Sequence, residues 1–516
     1  MPDVPDLAEQ LRAATALLEA VVANRSLLAD LSLEERTRLL NAAGDVYEPD
    51  VVARRRQIKA ERRQQKQAKA NRDQEALNET GIRSLRAKPV FTTPNVALPP
   101  AVGSHEADDI DDSDDAAAER ESLLPMHCYV CKQKYTQIHP FYDQMCPECG
   151  DFNFAKRSET ADLHGRVALL TGGRVKIGYQ AGIKLLRAGA KLIVTTRFPR
   201  DSALRYSQEP DYAEWGHRVQ IYGLDLRHTP SVEAFCHHLL ETEDRLDFIV
   251  NNACQTVRRP PAFYRHMMDA ELGALADLPA DAARLLGAYE GLRGPEMLTS
   301  GKDAGAPPTS PLPIGVSRAA ALSQAELLPD DHVAGADLFP EGRLDQDLQQ
   351  IDLRERNSWR LTLAEVSSVE LLETQLVNAV APFVLNARLK PLMMRTPGDD
   401  KHIVNVSAVE GQFYRRFKTT RHPHTNMAKA ALNMMTRTSA ADYHADGIHM
   451  NSVDTGWVSD EDPAHIADRK TTDHHFHPPL DIVDGAARIV DPIINGMLTG
   501  EHVWGQFLKD YRITDW

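Results

Sequence analysis

The sequence has no long apolar run, few cysteines and no excess of basic residues, and each absence excludes a class of protein. No apolar stretch approaches the roughly 18 residues of a membrane span, and the start, Met1-Pro2-Asp3, lacks the basic-then-apolar pattern of a secretory signal. Only six of the 516 residues are cysteine, too few for a disulfide-rich scaffold. Lys and Arg number 59 against 74 Asp and Glu, and this net charge of −15 disfavours nucleic-acid binding. We expect a cytoplasmic protein without a membrane segment and, at this length, with about two to four domains.

The first 121 residues predict helices followed by a charged arm. Leucines recur at positions 7, 11, 17 and 18, and Ser32-Leu33-Glu34-Glu35 is a capping box, so residues 1–50 are predicted to be a helical segment. Residues 54–72 carry nine Lys or Arg, and residues 106–121 carry nine Asp or Glu. Such runs are typical of solvated helices or disordered chain, and contact with a nucleic acid, with an acidic partner or between the two runs is the alternative. We predict a charged, largely disordered arm and linker over residues 51–121.

Four of the six cysteines form two C-x2-C pairs separated by fourteen residues: Cys128, Cys131, Cys146 and Cys149. Each C-x2-C turn can direct two thiolates at one ion, and a second turn completes the tetrahedron that zinc prefers. Four sulfur ligands leave no open coordination position for a reaction. The spacing therefore predicts a structural zinc ribbon over residues 122–156.

Strands and helices alternate from residue 160 to the end, which is typical of a doubly wound parallel sheet. The alternation stops between residues 258 and 370, which hold ten of the 31 prolines and the stretch Gly305-Ala306-Pro307-Pro308-Thr309-Ser310-Pro311. The sequence therefore predicts an α/β Rossmann-type domain over residues 160–516, interrupted by a long surface loop at 258–370.

A glycine-containing turn follows the first strand of this domain: Thr171-Gly172-Gly173-Arg174-Val175-Lys176-Ile177-Gly178. Glycines at such a turn let the backbone approach a pyrophosphate, whose charge lies at the N-terminus of the next helix. Arg197 follows the second strand, where a carboxylate would bind the ribose hydroxyls and a guanidinium would pair with a 2′-phosphate. This favours NADP over NAD. Lys176 either contacts a phosphate or crowds the turn, and a Rossmann fold that has lost its ligand is the alternative.

These motifs and their order resemble the short-chain dehydrogenase/reductase superfamily, whose usual glycine pattern is T-G-x-x-x-G-x-G. Thr171, Gly172 and Gly178 match that pattern, whereas Lys176 stands at its middle glycine. The resemblance continues after the later strands through Asp225-Leu226, Asn251-Asn252-Ala253-Cys254, Val404-Asn405-Val406-Ser407 and Asn451 to Val458. It implies a nicotinamide cofactor held by these residues: Thr171, Gly172, Arg174, Lys176, Ile177, Gly178, Arg197, Asp225, Leu226, Asn252, Ala253, Lys429 and Gly456.

The same resemblance implies a catalytic serine, an asparagine, a tyrosine and a lysine four residues after the tyrosine. Lys429 and Asn378 match, but Thr425 stands at the tyrosine position. Ala408 stands at the usual serine position, with Ser407 one residue before it. Thr425 cannot replace a phenol, because the pKa of an aliphatic hydroxyl starts too high for a neighbouring ammonium to bring it into range.

Three other residues are candidates for the missing proton donor. Tyr414 is itself followed by a lysine four residues later and lies in a loop expected to cross the substrate position. His422 and His424 precede Thr425, and imidazole has a suitable pKa. In the family, residues 459–480 form the lid over the substrate. The predicted catalytic set is Lys429, Asn378, Ser407, Tyr414 and Thr425.

The sequence therefore predicts an NAD(P)-dependent oxidoreductase with a non-standard proton donor, acting on a carbonyl or alcohol that the sequence does not identify. The alternative is an inactive dinucleotide-binding scaffold or adaptor that binds a protein partner through the zinc ribbon and the insertion. A third interpretation, a nucleic-acid-binding ribbon protein, is opposed by the net charge. The family resemblance also implies a homo-oligomer.

Overall fold

The computed structural model describes residues 7–47, 51–94, 120–293, 313–332, 335, 337–415 and 418–516. The acidic stretch at 106–119 and the proline-rich stretch at 305–311 lie outside the described residues. The chain divides into two compact units, Met1–Asp73 and Gln74–Trp516. No helix within the described ranges combines the length and the apolar character needed to cross a bilayer.

The first unit is helical. Helices α1 (Leu7–Ala23) and α2 (Leu33–Tyr47) are followed by α3 (Val51–Asn78), which begins in this unit. The predicted capping box is present, because the Glu35 amide donates to Ser32 Oγ at 3.3 Å and the Ser32 amide donates to Glu35 Oε2 at 3.0 Å. The prediction of a largely disordered arm is wrong for residues 51–78, since the Lys, Arg, Gln, Ala and Glu that dominate α3 are all good helix formers.

The second unit begins with a small module that contains the four cysteines. It consists of α4 (Gly81–Ala87), the antiparallel strands β1 (Glu121–His127) and β2 (Lys134–Gln137), and α5 (Pro147–Ser158). Its apolar core is formed by the buried residues Ile82, Cys128, Tyr142, Met145 and Leu480.

The main domain is built on an eight-stranded sheet in the order β10-β9-β8-β7-β6-β3-β4-β5, in which only β10 is antiparallel to its neighbour. The predicted doubly wound parallel sheet is therefore confirmed. Its strands are β3 (Val167–Thr171), β4 (Lys191–Thr196), β5 (Val219–Gly223), β6 (Phe248–Asn251), β7 (Lys401–Ser407), β8 (Ile448–Asp454), β9 (Phe507–Lys509) and β10 (Arg512–Thr514).

Helices lie on both faces of this sheet. Strand order reverses between β3 and β6, and in sheets of this kind ligands bind at such a switch point, outside the carboxyl ends of the strands. The helices outside the insertion are α6 (Lys176–Arg187), α7 (Pro199–Ser207), α8 (Tyr212–Trp215), α9 (Thr229–Thr242), α16 (Ser368–Gln375), α17 (Ala381–Met393), α18 (Pro423–His444), α19 (Ala464–His474) and α20 (Ile482–Thr499). A single π-helical turn, Leu376–Val380, joins α16 to α17.

The insertion at 258–370 is more than the surface loop that the prolines predicted. Several of its prolines begin helices, as Pro261 and Pro329 do, because proline at the first helical position costs no hydrogen bond. Phe263 and Phe339 of the insertion pack with Phe198 of the main domain in a buried cluster. Its described helices are α10 (Pro261–Leu272), α11 (Ala280–Leu285), α12 (Gly287–Arg293), α13 (Ile314–Ser317), α14 (Ala319–Leu322) and α15 (Pro329–His332).

Candidate dinucleotide and catalytic site

A cavity of about 350 Å³ lies at the switch point of the sheet. Its walls come from the turn after β3 and from the segments after β4, β5 and β6, so it brings together most of the predicted cofactor residues, which are far apart in the sequence. Thr171, Lys429 and Gly456 belong to the predicted cofactor set but do not line this cavity. The predicted cofactor residues on its wall are Gly172, Arg174, Lys176, Ile177, Gly178, Arg197, Asp225, Leu226, Asn252 and Ala253.

The glycine turn is packed directly on the chain that follows β6. Gly172 has a φ of +69°, and a Cβ there would lie 2.8 Å from Ala253 Cα. A Cβ at Gly178 would lie 2.3 Å from the Gly172 carbonyl oxygen. The Ala253 amide donates to Thr171 Oγ1 at 3.0 Å, and Asn252 Nδ2 donates to the Thr171 carbonyl oxygen at 3.0 Å. The close backbone packing therefore requires glycine at both positions. The Thr171 hydroxyl is occupied by its hydrogen bond to the Ala253 amide.

Lys176 adopts the left-handed backbone, with a φ of +55°, that the family's glycine would adopt freely. Its side chain lines the cavity and a second cavity of about 150 Å³ beside it. The ammonium makes no hydrogen bond or ion pair with any described residue. Burial alone would lower the pKa of Lys176, but the carboxylates of Glu461, Asp347 and Asp345 outweigh it and raise the pKa. Lys176 therefore presents a positive charge at the cavity wall.

Arg197 lies where the sequence predicted, on the wall of the cavity after β4. Its Nη2 donates to Tyr264 Oη at 2.8 Å, and the guanidinium carbon lies 4.8 Å from the centre of the Tyr264 ring. Arg197 forms no direct ion pair with a carboxylate in the described part of the chain. Burial alone would raise the pKa of Tyr264, but the positive charges of Arg197, Arg259 and Arg174 lower it. Three arginines therefore surround Tyr264 at this end of the cavity, two of which are paired with carboxylates, Arg174 with Asp201 and Arg259 with Asp352.

The insertion supplies part of the cavity wall, which sequence reasoning missed. Arg259, Tyr264 and Gln349 all line the cavity. Arg259 pairs with Asp352 of the insertion. The prediction of a surface loop at 258–370 does not place these residues at a cavity, although residues 258–264 mix arginine with aromatic side chains, a composition suited to binding anions.

Asp225 lies at the carboxyl end of β5 in a chain of buried ion pairs. Its Oδ2 lies 2.7 Å from Arg227 Nη2, and Arg227 Nη1 lies 2.9 Å from Glu373 Oε1. Burial alone would raise the pKa of Asp225, but the hydrogen bonds and charge of Arg227 lower it. Asp225 is thus ionised and already engaged, so its side chain fixes Arg227 at the cavity wall.

The lysine and the asparagine of the predicted catalytic set are both buried. Lys429 Nζ donates to the Val406 carbonyl oxygen at 2.8 Å. Asn378 lies in the π-helical turn, where its Oδ1 accepts from the Gln255 amide at 2.7 Å and its Nδ2 donates to the Gln255 carbonyl oxygen at 3.2 Å. Asn378 therefore ties the helix to the chain that leaves β6 and lines the cavity.

The two hydroxyl groups of the predicted catalytic set differ in their surroundings. Ser407 Oγ donates to Asn433 Oδ1 at 2.6 Å, so it is engaged by α18. Thr425 Oγ1 is buried and has no hydrogen-bond partner among the described residues. Tyr414 is 53% exposed, lies outside the cavity wall, and its hydroxyl is 3.4 Å from Thr514 Oγ1 in the last strand.

Two histidines at the start of α18 are buried, and they differ in the contacts of their rings. His422 stacks on Trp359 with ring centres 3.8 Å apart, and its Nδ1 lies 3.1 Å from Asn426 Oδ1. Neither ring nitrogen of His424 has a hydrogen-bond partner in the part of the chain that the structure describes, and Nε2 lies 3.7 Å from Glu370 Oε1. Burial lowers the pKa of His424, and it lowers the pKa of His422 to about 4.

The four cysteine thiols of the small module form one cluster. The sulfur atoms of Cys128, Cys131, Cys146 and Cys149 all lie within 4.8 Å of one another. Burial alone would raise the pKa of the Cys128 thiol, but the backbone amides of Cys146, Cys131 and Val130 lower it to about 7. Four converging sulfurs, one of them readily ionised, fit a tetrahedral zinc ion.

Two family descriptions match the main domain. Residues 166–272 match the family described as short chain dehydrogenase, and residues 355–480 match the one described as enoyl-(acyl carrier protein) reductase. The two matches flank the middle of the insertion and cover β3 to β6 and β7 to β8, respectively.

Three curated or structurally solved proteins illustrate what the chain is similar to. The uncharacterized protein R665 of Acanthamoeba polyphaga mimivirus is 30% identical over 385 residues, which is 72% of each chain. Retinol dehydrogenase 14 of Mus musculus is 34% identical over 102 residues, 18% of this chain and 30% of that protein. A short chain dehydrogenase from Burkholderia cenocepacia J2315 in complex with NADP is 17% identical, covers 67% of this chain and 96% of its own, and has a TM-score of 0.40. The chain belongs to the short-chain dehydrogenase/reductase superfamily.

Proposed function

We propose that the chain is an oxidoreductase that uses NADP in preference to NAD to interconvert a carbonyl compound and an alcohol. One observation carries this proposal: a glycine-bounded cavity at the switch point is lined by two cationic side chains, Lys176 and Arg197, that form no direct ion pair with a carboxylate of the described residues. A dinucleotide with a 2′-phosphate supplies anions for both cations. The similarity to retinol dehydrogenase 14, though short, agrees with a carbonyl or alcohol substrate.

The residues present fit the cofactor. Gly172 and Gly178 leave no room for side chains beside the turn, which keeps the backbone open to a diphosphate. Lys176 would bind the diphosphate, and Arg197 with Tyr264 beside it would bind the 2′-phosphate. When bound, the nicotinamide supplies or accepts the hydride. Lys429 would hold the ribose, in the place that the family resemblance gives it.

The proton in this reaction needs a donor other than Thr425. His424 is the best-supported candidate, because both of its ring nitrogens lack hydrogen-bond partners among the residues described and Glu370, 3.7 Å away, can stabilise an imidazolium. The exposure of Tyr414 and its contact with Thr514 disfavour the tyrosine. The cysteine cluster would hold a structural zinc ion, with all four coordination positions occupied by sulfur.

Oxidation of NADPH in the presence of a panel of aldehydes and ketones tests this function. Wild type is expected to turn over at least one compound, and His424→Asn should lower the rate by about 100-fold while NADPH still binds, because general acid catalysis is lost. Tyr414→Phe should change the rate by less than His424→Asn does.

The opposite ranking of the two variants would assign the donor to Tyr414. Tight NADPH binding by wild type with no turnover across the panel would instead favour the inactive scaffold, which also explains the threonine at position 425.

A further inference from the structure

The segment at 456–481 forms one wall of the dinucleotide cavity. It follows β8, contributes Ser459 and Glu461 to the cavity wall, and leads into α20. It also lines the smaller neighbouring cavity through Val458, Ser459 and Asp481. The position of this segment therefore sets the shape of the cavity next to Lys176.

The four-cysteine module contacts the N-terminal end of this segment, where the chain leaves β8. The Trp457 amide donates to Tyr129 Oη at 3.0 Å. Gly456 has a φ of +76°, and a Cβ there would lie 3.2 Å from the same hydroxyl and 2.4 Å from Leu480 Cδ1. Tyr129 thus touches the chain at the point where it turns from β8 toward the cavity.

The returning end is held by the same module. Gln144 Nε2 donates to the His477 carbonyl oxygen at 2.7 Å, and Leu480 is fully buried in the apolar core of the module. Arg157 donates to both carboxylate oxygens of Asp481, at 2.7 and 2.9 Å. Both ends of the segment are therefore fixed to residues of one small module.

The contact residues lie on the turns that carry the thiols. Tyr129 is the residue after Cys128, and Gln144 lies two residues before Cys146. The Tyr129 amide donates to the Gln144 carbonyl oxygen at 2.8 Å, which links the two turns. Any change in how the four sulfurs converge would therefore move Tyr129 and Gln144 together.

We propose that the zinc-loaded cysteine module anchors the 456–481 segment against the dinucleotide cavity, with Tyr129 and Gln144 as positioning residues. The proposal rests on the proposed function for its effect on cofactor and substrate binding. In this proposal the zinc ion shapes the cavity without contacting the reacting atoms, because it holds the module that fixes both ends of the 456–481 segment.

Tyr129→Phe tests the contact without removing a metal ligand. It deletes one hydrogen bond to the Trp457 amide, so we expect zinc content to stay at one ion per chain and hydrogen exchange in peptides covering 456–481 to become faster. The dissociation constant for NADPH and the KM for a carbonyl substrate should both rise, by roughly three- to tenfold, the usual worth of one hydrogen bond. The matched control is Lys134→Ala, an exposed position on β2 of the same module that should change none of these quantities.

Cys131→Ser tests the dependence on metal. We expect zinc content to fall, exchange to accelerate across 456–481, and exchange in β3 to β6 to stay at the wild-type rate, which shows that the main domain is still folded. Loss of zinc with unchanged exchange in the segment would overturn the proposal, as would unchanged exchange in Tyr129→Phe or wild-type protein purified without zinc. Zinc content and exchange need no cofactor, so the anchor is tested even if wild type fails to bind NADPH and the proposed function is wrong.

Discussion

The two halves of the sheet differ in how closely they keep the family pattern. The half from β3 to β6 keeps the glycine turn and the residues after each strand, and it departs mainly at Lys176, whose backbone still takes the left-handed conformation of the glycine it replaces. The half with β7, β8 and α18 keeps Lys429 and Asn378, yet has threonine where the family has its proton donor. The comparison teaches that a binding surface made largely of backbone can tolerate a substitution, whereas a reaction that depends on one side chain needs a replacement for it.

The largest expected effect concerns the half with β7, β8 and α18, which lacks the family's tyrosine. Lys429→Met keeps the volume of the buried side chain but removes the ammonium, and we expect turnover of NADPH to fall by about 100-fold or more. The measurement is the steady-state rate with a reactive carbonyl compound, with thermal unfolding as the control for folding. Full turnover in Lys429→Met would mean that the α18 lysine has no part in the chemistry, and the analogy between this half and the family would be broken.

An intermediate effect, on NADPH affinity, tests the role of Lys176 in the half from β3 to β6. Lys176→Gly keeps the positive φ without strain and deletes the whole side chain, including the ammonium. If that ammonium binds the diphosphate, NADPH affinity should fall by about tenfold, as expected for one charge-assisted hydrogen bond. The affinity is measured by titrating the protein with NADPH and following the change in fluorescence. An affinity that rises in Lys176→Gly would show that the lysine crowds the turn.

The smallest effect is a pH dependence of stability that should arise in the half with β7, β8 and α18. Burial lowers the pKa of His422 from 6.5 to about 4, so the unfolded chain binds a proton there more readily than the folded chain. Stability is therefore lost as pH falls below 6.5 toward 4, and His422 alone should cost about 1 kcal/mol between pH 6.5 and 5.5.

Urea unfolding at the two pH values measures this change. His422→Asn is the control, because asparagine tolerates the left-handed φ of +43° at this position and does not titrate in this range. The same loss of stability in His422→Asn would show that other buried histidines, such as His402, account for it.

Much of the half from β3 to β6 could be predicted from the sequence because its structural requirements are local. A tight turn between a strand and a helix needs glycine. The close contacts of Gly172 and Gly178 show why, because a Cβ at either position would collide with backbone atoms. The same holds for the capping box at Ser32 and for two C-x2-C turns that bring four thiols together. Each of these features is set by a few neighbouring residues.

The remaining features depend on contacts between distant segments. Proline content did not reveal that the insertion would place Tyr264 and Arg259 on the cavity wall. Nor did the family match reveal that Ser407 faces α18. The alternation of side chains along β7 could have predicted this orientation, because residues two apart on a strand share a face. Asn405, two residues before Ser407, also forms a hydrogen bond to α18, through Thr436.

Calorimetric titration of the full chain with NADPH and with NADH tests the central claim most directly. Arg197 forms no direct ion pair with a carboxylate in the described ranges, and we propose that it binds the 2′-phosphate. We therefore predict that wild type binds NADPH at least about tenfold more tightly than NADH, and that Arg197→Ala removes this preference while leaving NADH binding unchanged. Failure of both coenzymes to bind at millimolar concentration, or equal binding of the two by wild type, would contradict the account.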